Sequence, residues 1–159
     1  MSFDVESAKL LLDHGALVDL PNVMGMTPLM VASGLGTSPR DTRGSYGSDA
    51  QDNSLRFLDL VLKAGADVNA RVTDTSSRSA IIARPSSMTN RQGQTAIFGA
   101  INWGWTRVAQ YLIDHGAKLD IKDDAGKTVM DALKGNAGGR DHRPSGDMDK
   151  LIRAAAGVS

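Results

Sequence analysis

The segment LDLVLKAGADVNA, residues 58–70, recurs twice elsewhere in the chain, and this recurrence decides the fold. Its two relatives are AKLLLDHGALVDL at residues 8–20 and AQYLIDHGAKLDI at residues 109–121. Gly15, Gly65 and Gly116 fall in register, and apolar residues hold the same places around each glycine. Apolar residues at helical spacing before a glycine predict a helix that ends where the chain turns through a left-handed conformation. Each segment is therefore predicted to form the second helix of a repeating helix pair.

A shorter motif, Gly-x-Thr followed by apolar residues, predicts the first helix of each pair. It occurs as GMTPLMVAS at residues 25–33, GQTAIFGAI at 93–101 and GKTVMDALK at 126–134. The threonine hydroxyl can accept a hydrogen bond from a helical N–H, and Pro28 stands where a missing N–H costs nothing. Thr95 and Thr128 are 33 residues apart, whereas Thr27 and Thr95 are 68 apart with only one second-helix segment between them. The long interval is therefore interpreted as one repeat enlarged by insertions.

These two motifs resemble the ankyrin repeat family. Gly-Met-Thr-Pro-Leu at residues 25–29, with Ala32, is similar to the Gly-x-Thr-Pro-Leu-His-x-Ala signature, and Ala-Gly-Ala-Asp-Val-Asn-Ala at 64–70 resembles the Gly-Ala-Asp-Val-Asn ending. The resemblance covers roughly residues 4–134 and extends to a final helix near 147–156. It implies a turn, two antiparallel helices and an outward hairpin in each unit. The layout of the Gly/Asp/Arg-rich insertions resembles that of environmental bacterial ankyrin repeat proteins.

We therefore expect a single domain, residues 1–159, built as an all-α repeat solenoid of about three full repeats and an N-terminal half repeat with long loop insertions. The expected divisions are a half repeat at 4–20, a repeat at 21–70 with an insertion at 37–53, a hairpin insertion at 71–92, a repeat at 93–121, and a C-terminal repeat at 122–156 with an insertion at 135–147. The half repeat supplies only a second helix. It is interpreted either as part of a longer array or as an N-terminal cap, and its apolar end is a candidate for self-association.

The family histidine after Thr-Pro-Leu is replaced by Met30, Phe98 and Asp131 in the three units. This departure puts the polar bonds between neighbouring repeats in doubt. Apolar packing is expected instead around Met30 and Phe98.

Composition narrows the classes of partner. The 159 residues are 41% hydrophobic, enough for a core, and the 18 basic and 18 acidic residues cancel. No long-range field therefore attracts nucleic acid or an anionic membrane, and neither is expected as a partner. The chain has no cysteine, which excludes thiol catalysis and thiolate metal ligands. Without a signal-type segment it is expected to be soluble, in a compartment left open between cytoplasm and periplasm.

No motif predicts catalysis, so no catalytic, cofactor-binding or metal residue is assigned. A Gly-x-Ser-x-Gly elbow is absent, and Gly126-Lys127-Thr128 lacks the earlier glycine of a phosphate loop, since Ile121 stands there. His14 and His115 occupy equivalent Asp-His-Gly-Ala strings, which favours a structural role at helix ends.

Three functions remain open. The favoured one is binding of another protein, of unknown identity, by the concave face of the array. An alternative is a small hydrolase or metal-dependent activity built from insertion residues such as Ser86, Ser87, Asp141 and His142. The third is a structural segment or cap of a longer solenoid.

The residues expected to contact a partner lie by register on the hairpin tips and the exposed sides of the first helices. They are Val23, Met24, Met26, Leu35, Arg91, Gln92, Gln94, Asn102, Trp103, Asp124 and Lys127. Trp103 and the nearby Trp105 are candidate anchors, because large aromatic side chains on rigid elements often dominate interfaces. The alternative is that both indoles pack under the insertions.

Overall fold

In the computed structural model, residues 4–36, 48–73, 91–136 and 146–157 are described. These ranges contain seven helices and no strand. The helices are α1 (Val5–Asp13), α2 (Pro28–Ala32), α3 (Ser48–Lys63), α4 (Ala96–Trp103), α5 (Thr106–Asp114), α6 (Val129–Asn136) and α7 (Gly146–Ala156). The prediction of an all-α fold is confirmed for this part of the chain.

The helices form two layers. In one layer the short first helices pack side by side, α2 on α4 and α4 on α6. In the other layer the second helices follow in order, with α1 on α3, α3 on α5 and α5 on α7. The layers are joined because α2 packs on α3 and α4 packs on α5. Such stacking buries the apolar side of each helix pair, which one pair could not bury alone.

The threonines begin the first helices as predicted, although they do so in three ways. Thr27 Oγ1 accepts a hydrogen bond from the Met30 N–H at 3.4 Å. Thr128 forms a reciprocal cap: its N–H and its hydroxyl donate to Asp131 Oδ2 at 2.9 and 2.8 Å, and its Oγ1 accepts the Asp131 N–H at 3.4 Å. The hydrogen bond from the Thr128 backbone N–H is the largest cause of a lowered pKa at the Asp131 carboxyl, and the bond from the Thr128 hydroxyl is the next largest. Thr95 stands at the N-cap position of α4, but its buried hydroxyl oxygen has no partner, so the predicted capping hydrogen bond is not formed there.

His14 and His115 end α1 and α5 in the same way, and this supports their structural interpretation. In each, ring Nδ1 lies 2.8 Å from the carbonyl oxygen four residues earlier, so Nδ1 carries the donated proton. Gly15 and Gly116 follow with φ of +86° and +88°, a left-handed conformation that favours glycine. The register read from the sequence thus corresponds to equivalent helix ends.

The core runs along the joint between the two layers. Its largest fully buried side chains are Leu29, Met30, Leu35, Leu58, Ile97, Phe98, Ile101, Leu112, Met148 and Ile152. Met30 and Phe98 stand among them, so the expected apolar packing in place of the family histidine is confirmed. Gly99 allows α4 to approach the turn at 33–35, because a Cβ there would collide with the backbone of that turn.

The helix bounds correct three of the expected insertions. α3 begins at Ser48, inside the insertion expected at 37–53. The first turns of α3 are polar, and two of their side chains contact Arg107 at the start of α5. Gln51 Oε1 accepts the Arg107 N–H at 3.2 Å, and Asp52 pairs with the Arg107 guanidinium at 2.7 Å. α6 and α7 likewise take the two ends of the segment 135–147.

The third correction concerns the hairpin insertion expected at 71–92, whose two ends are part of the hairpin itself. The N–H of Val72 donates to Gln94 O at 2.9 Å, and the N–H of Gly93 donates to Val72 O at 3.0 Å. The number of repeats stays a prediction.

Candidate functional site

The hairpins between units form a continuous row, called here the hairpin ridge, made of residues 22–27, 71–73, 91–94 and 122–127. Backbone hydrogen bonds join them edge to edge: Thr73 donates to Gly25 O at 3.1 Å, and Asp124 donates to Gln92 O at 3.0 Å. The spacing between neighbouring tips is therefore set by main-chain bonds. Side chains on the ridge are presented in a fixed order.

Two equivalent polar residues shape the tips. Asn22 Oδ1 accepts the N–H groups of Met24 and Met26 at 2.9 and 3.2 Å. Asp123 Oδ1 does the same for Ala125 and Lys127, at 3.0 and 2.8 Å. Such a side chain satisfies the turn's own donors, a structural use of Asn and Asp. Asp123 is buried, and its carboxylate holds the turn through these two bonds.

Arg71 connects the second hairpin, at residues 71–73 and 91–94, to the third hairpin, at residues 122–127. Its Nε donates to Gly93 O at 3.2 Å, and its Nη2 donates to Lys122 O at 2.9 Å and to Asp124 Oδ1 at 3.0 Å. About half of the Asp124 side chain remains exposed beside this ion pair. Asp124 is therefore oriented by the fold and still accessible from one side.

Most of the residues expected to contact a partner lie at the surface of the ridge or beside it. Val23, Asp124 and Lys127 are exposed. The half-buried ones are Met24, Arg91, Gln92, Gln94, Asn102 and Trp103. The ridge thus brings together an apolar tip at Val23 and a charged tip at Asp124 and Lys127.

Two of the residues expected to contact a partner are buried, so that prediction is wrong for them. Met26 is 4% exposed and Leu35 is 0% exposed, so both belong to the core. Met26 is turned inward, and its thioether occupies the space in front of Gly36. Leu35 lies under α4, where Gly99 approaches its backbone. Neither can contact a partner without unfolding its unit.

Arg91 is less accessible than a typical surface cation. Burial lowers the pKa of its guanidinium. Its Nε is buried without a hydrogen-bond partner. Its contribution to any partner contact is therefore limited to the part of the guanidinium that reaches solvent.

Trp103 links two units. Its indole N–H donates to the carbonyl oxygen of Gly34 at 2.8 Å, across a separation of 69 residues. Its ring lies tilted against Trp105, with ring centroids 6.0 Å apart. Gly34 has no Cβ to obstruct this contact, since one would strike the indole. The indole therefore packs between units and keeps part of its surface exposed.

The structure also shows a groove of about 420 Å³ that sequence reasoning missed, which lies between the end of α5, the segment after it, the start of α6 and the end of α7. Its lining residues are Ile113, Ala117, Leu119, Asp120, Thr128, Met130, Ala155 and Ala156. Ala155 and Ala156 contribute only small side chains to its wall. Alanines in a helix are common, so their presence carried no signal of a groove.

The described residues hold no group of three or more His, Cys, Asp or Glu placed to bind a metal ion. None of the seven helices is both long and apolar enough to cross a membrane. Ser86, Ser87, Asp141 and His142, named above for a possible activity, lie outside the described residues.

Comparison with known proteins agrees with the repeat assignment. No similar sequence is found among curated proteins. The Ankyrin repeat family model matches residues 92–124, a span that starts in the second hairpin, contains α4 and α5, and ends at Asp124 in the third hairpin. This is the unit with the bonded hairpins and the equivalent helix ends described above. This part of the chain is therefore an ankyrin repeat.

Proposed function

We propose that this protein is a protein-interaction module that holds its partner along the hairpin ridge and the adjoining ends of the first helices. The proposed contact residues are Val23, Met24, Arg91, Gln92, Gln94, Asn102, Trp103, Asp124 and Lys127. The observation that carries the proposal is the row of backbone hydrogen bonds between hairpins. A surface already ordered in the free protein loses little conformational entropy when a partner binds.

The chemistry of the ridge defines what it would bind. Val23 and Met24 offer an apolar patch at one end, and the methionine adapts its shape readily. Asp124 and Lys127 offer both signs of charge at the other end, with Asp124 oriented by Arg71. A matching partner would place apolar side chains over the first tip and paired charges over the third. Trp103, half-buried between units, would supply a rigid aromatic edge.

The test is site-specific photo-crosslinking in a native extract. A photoreactive phenylalanine analogue is placed at Val23 or Lys127, and a matched control carries it at Lys63, which is exposed on α3 away from the ridge. The same partner should be trapped from both ridge positions and not from Lys63. A partner trapped equally well from Lys63 would place the contact elsewhere and overturn the proposal.

The affinity of variants for the identified partner then tests whether the ridge forms the binding site. Lys127→Glu reverses a ridge charge and should weaken binding about tenfold, the effect of losing roughly 1.4 kcal/mol. Lys63→Glu, with the same charge change on α3, should leave the affinity unchanged. Equal losses from both variants would show that net charge, not the ridge, controls binding. No specific observation in the described residues favours the hydrolase or metal-dependent alternative.

A further inference from the structure

Four leucines outside the hairpin ridge are exposed together. Leu10 and Leu11 lie on α1, and Leu17 and Leu20 lie on the segment that follows it; we call these four the N-terminal face. Each is between 60% and 72% exposed. Together they expose on the order of 500 Å² of apolar surface, and apolar exposure of this extent is often functional.

The internal repeat shows what covers the same positions elsewhere in this molecule. Leu11 is equivalent to Val61 on α3 and to Leu112 on α5, and these are 2% and 0% exposed. The helices that carry them pack on first helices, α3 on α2 and α5 on α4. No described helix packs on Leu11 in this way. The side of α1 that carries Leu11 therefore has the register and chemistry of a helix-covered surface.

Leu10 faces a second direction. Its equivalent on α5 is Tyr111, whose hydroxyl reaches back to Asp59 on the preceding second helix, α3, at 3.2 Å. The position thus points toward the neighbour on the N-terminal side of each second helix. In α1 this position holds an exposed leucine. Both Leu10 and Leu11 are directed at surfaces that no described part of the chain supplies.

The opposite end of the stack differs in chemistry. α7 keeps Met148 and Ile152 buried, and its outward residues include the exposed Asp147 and Lys150. Asp149 and Arg153 add an ion pair of 2.7 Å on the same helix. Head-to-tail stacking of two copies would press these charges against the leucines and remove them from water, which is costly. The charged side of α7 is therefore a poor complement to the N-terminal face.

We propose that two copies of this chain associate through their N-terminal faces about a two-fold axis, leucine against leucine, to form a closed dimer. A two-fold interface uses the same patch on both subunits, so an apolar patch is its own complement. An antiparallel pair of α1 helices also brings Lys9 of each copy toward Asp13 of the other, since these exposed residues flank Leu10 and Leu11 along the helix. Because the patch is smaller than the roughly 800 Å² per partner of a standard interface, we expect a Kd in the micromolar range.

Sedimentation equilibrium across roughly two decades of concentration around the micromolar range tests the proposal. The mass should rise from the 16.8 kDa of one chain to twice that value. Leu11→Asp should remain a monomer throughout, and Ala154→Asp, which introduces the same carboxylate on the exposed surface of α7, should dimerise like the wild type. Leu11 is outside the core, so helical circular dichroism should be unchanged in both variants. A wild-type chain that stays monomeric, or an Ala154→Asp variant that loses association, would overturn the proposal.

A crosslinking experiment tests the two-fold geometry separately. The chain has no cysteine, so a single Leu10→Cys or Leu11→Cys substitution introduces the only thiol. Oxidation should join two thiols of one such variant into a disulfide-bonded dimer, whereas Ala154→Cys should stay monomeric under the same oxidant. Efficient disulfide formation between Leu11→Cys and Ala154→Cys in a mixture would instead establish head-to-tail association. None of these residues lies on the hairpin ridge, so the dimer and the proposed partner binding can fail independently.

Discussion

A buried carboxylate oxygen of Asp19 points to a substitution that should stabilise this protein. Its structural counterpart is Asn69, which bridges two neighbouring units: Oδ1 accepts the Lys118 N–H at 2.8 Å and Nδ2 donates to Gly116 O at 3.0 Å. Asp19 makes the first of these bonds, since its Oδ2 accepts the Asp67 N–H at 2.9 Å. Its Oδ1 is buried without a partner. A carboxylate has no hydrogen with which to make the second bond.

Asp19→Asn supplies the missing donor. The register places the carbonyl of Gly65 where Gly116 O lies relative to Asn69, so the new amide N–H should meet that carbonyl. One added hydrogen bond, together with relief of an unsatisfied buried oxygen, should raise the free energy of unfolding by about 1 to 2 kcal/mol. For a chain of this length the melting temperature should rise by roughly 2 to 8 °C.

The assay is urea unfolding followed by helical circular dichroism, with Asn69→Asp as the reciprocal variant. Asn69→Asp removes the donor to Gly116 and should lower the midpoint by a comparable amount. The slope of the free energy with urea should not change in either variant, because the surface exposed on unfolding is the same. If Asp19→Asn fails to raise the midpoint while Asn69→Asp lowers it, the equivalence between the two positions is wrong.

Three further predictions concern the core and the helix starts. Gly99→Ala should destabilise the fold by more than about 2 kcal/mol, measured by urea unfolding, because the added Cβ meets the backbone at 33–35 and not a mobile side chain; a loss near that of a surface Gly→Ala change would argue against the close approach. Asp131→Asn should lower the free energy of unfolding at neutral pH, and this loss should become smaller as the pH falls. The reason is that the pKa of the Asp131 carboxyl is lowered from its usual value of 3.8, so its charged form stabilises the fold above pH 3.8 and this contribution is lost as the pH falls through the folded pKa. Paired unfolding curves at several pH values check this, and a wild-type advantage that is independent of pH would contradict it. Trp103→Phe removes the donor to Gly34 and should lower the free energy of unfolding by roughly 1 kcal/mol, and an unchanged unfolding midpoint would show that the indole bond is not formed in solution.

Local chemistry explains why much of the fold could be predicted from the chain alone. Gly15, Gly65 and Gly116 mark helix ends because a left-handed turn excludes most other residues, whatever the rest of the molecule does. Threonines before apolar runs mark helix starts for a similarly local reason. Repetition of both signals places the helices and aligns equivalent positions. The helical fold and the repeat assignment therefore followed from residues that act within one turn of the chain.

The site residues that were misplaced depend on contacts distant in sequence. Met26 and Leu35 have the spacing of exposed groove residues, yet both are buried. The Met26 thioether packs against Gly36, and α4 approaches the Leu35 backbone at Gly99. The polar start of α3 looked like a loop, because its partner residue Arg107 lies more than fifty residues away. No local pattern could show these pairings.

What the amino-acid sequence established is a register: which residues end a helix, which begin one, and which positions correspond between units. What required the packed molecule is the identity of each residue's neighbour. Trp103 donates a hydrogen bond to Gly34. Asp19 lacks the donor that Asn69 has, which leaves a buried oxygen without a partner. Leu11 is exposed, whereas the equivalent Val61 and Leu112 are buried. Helix ends arise from interactions between residues a few positions apart, whereas burial depends on what the rest of the chain brings to each side chain.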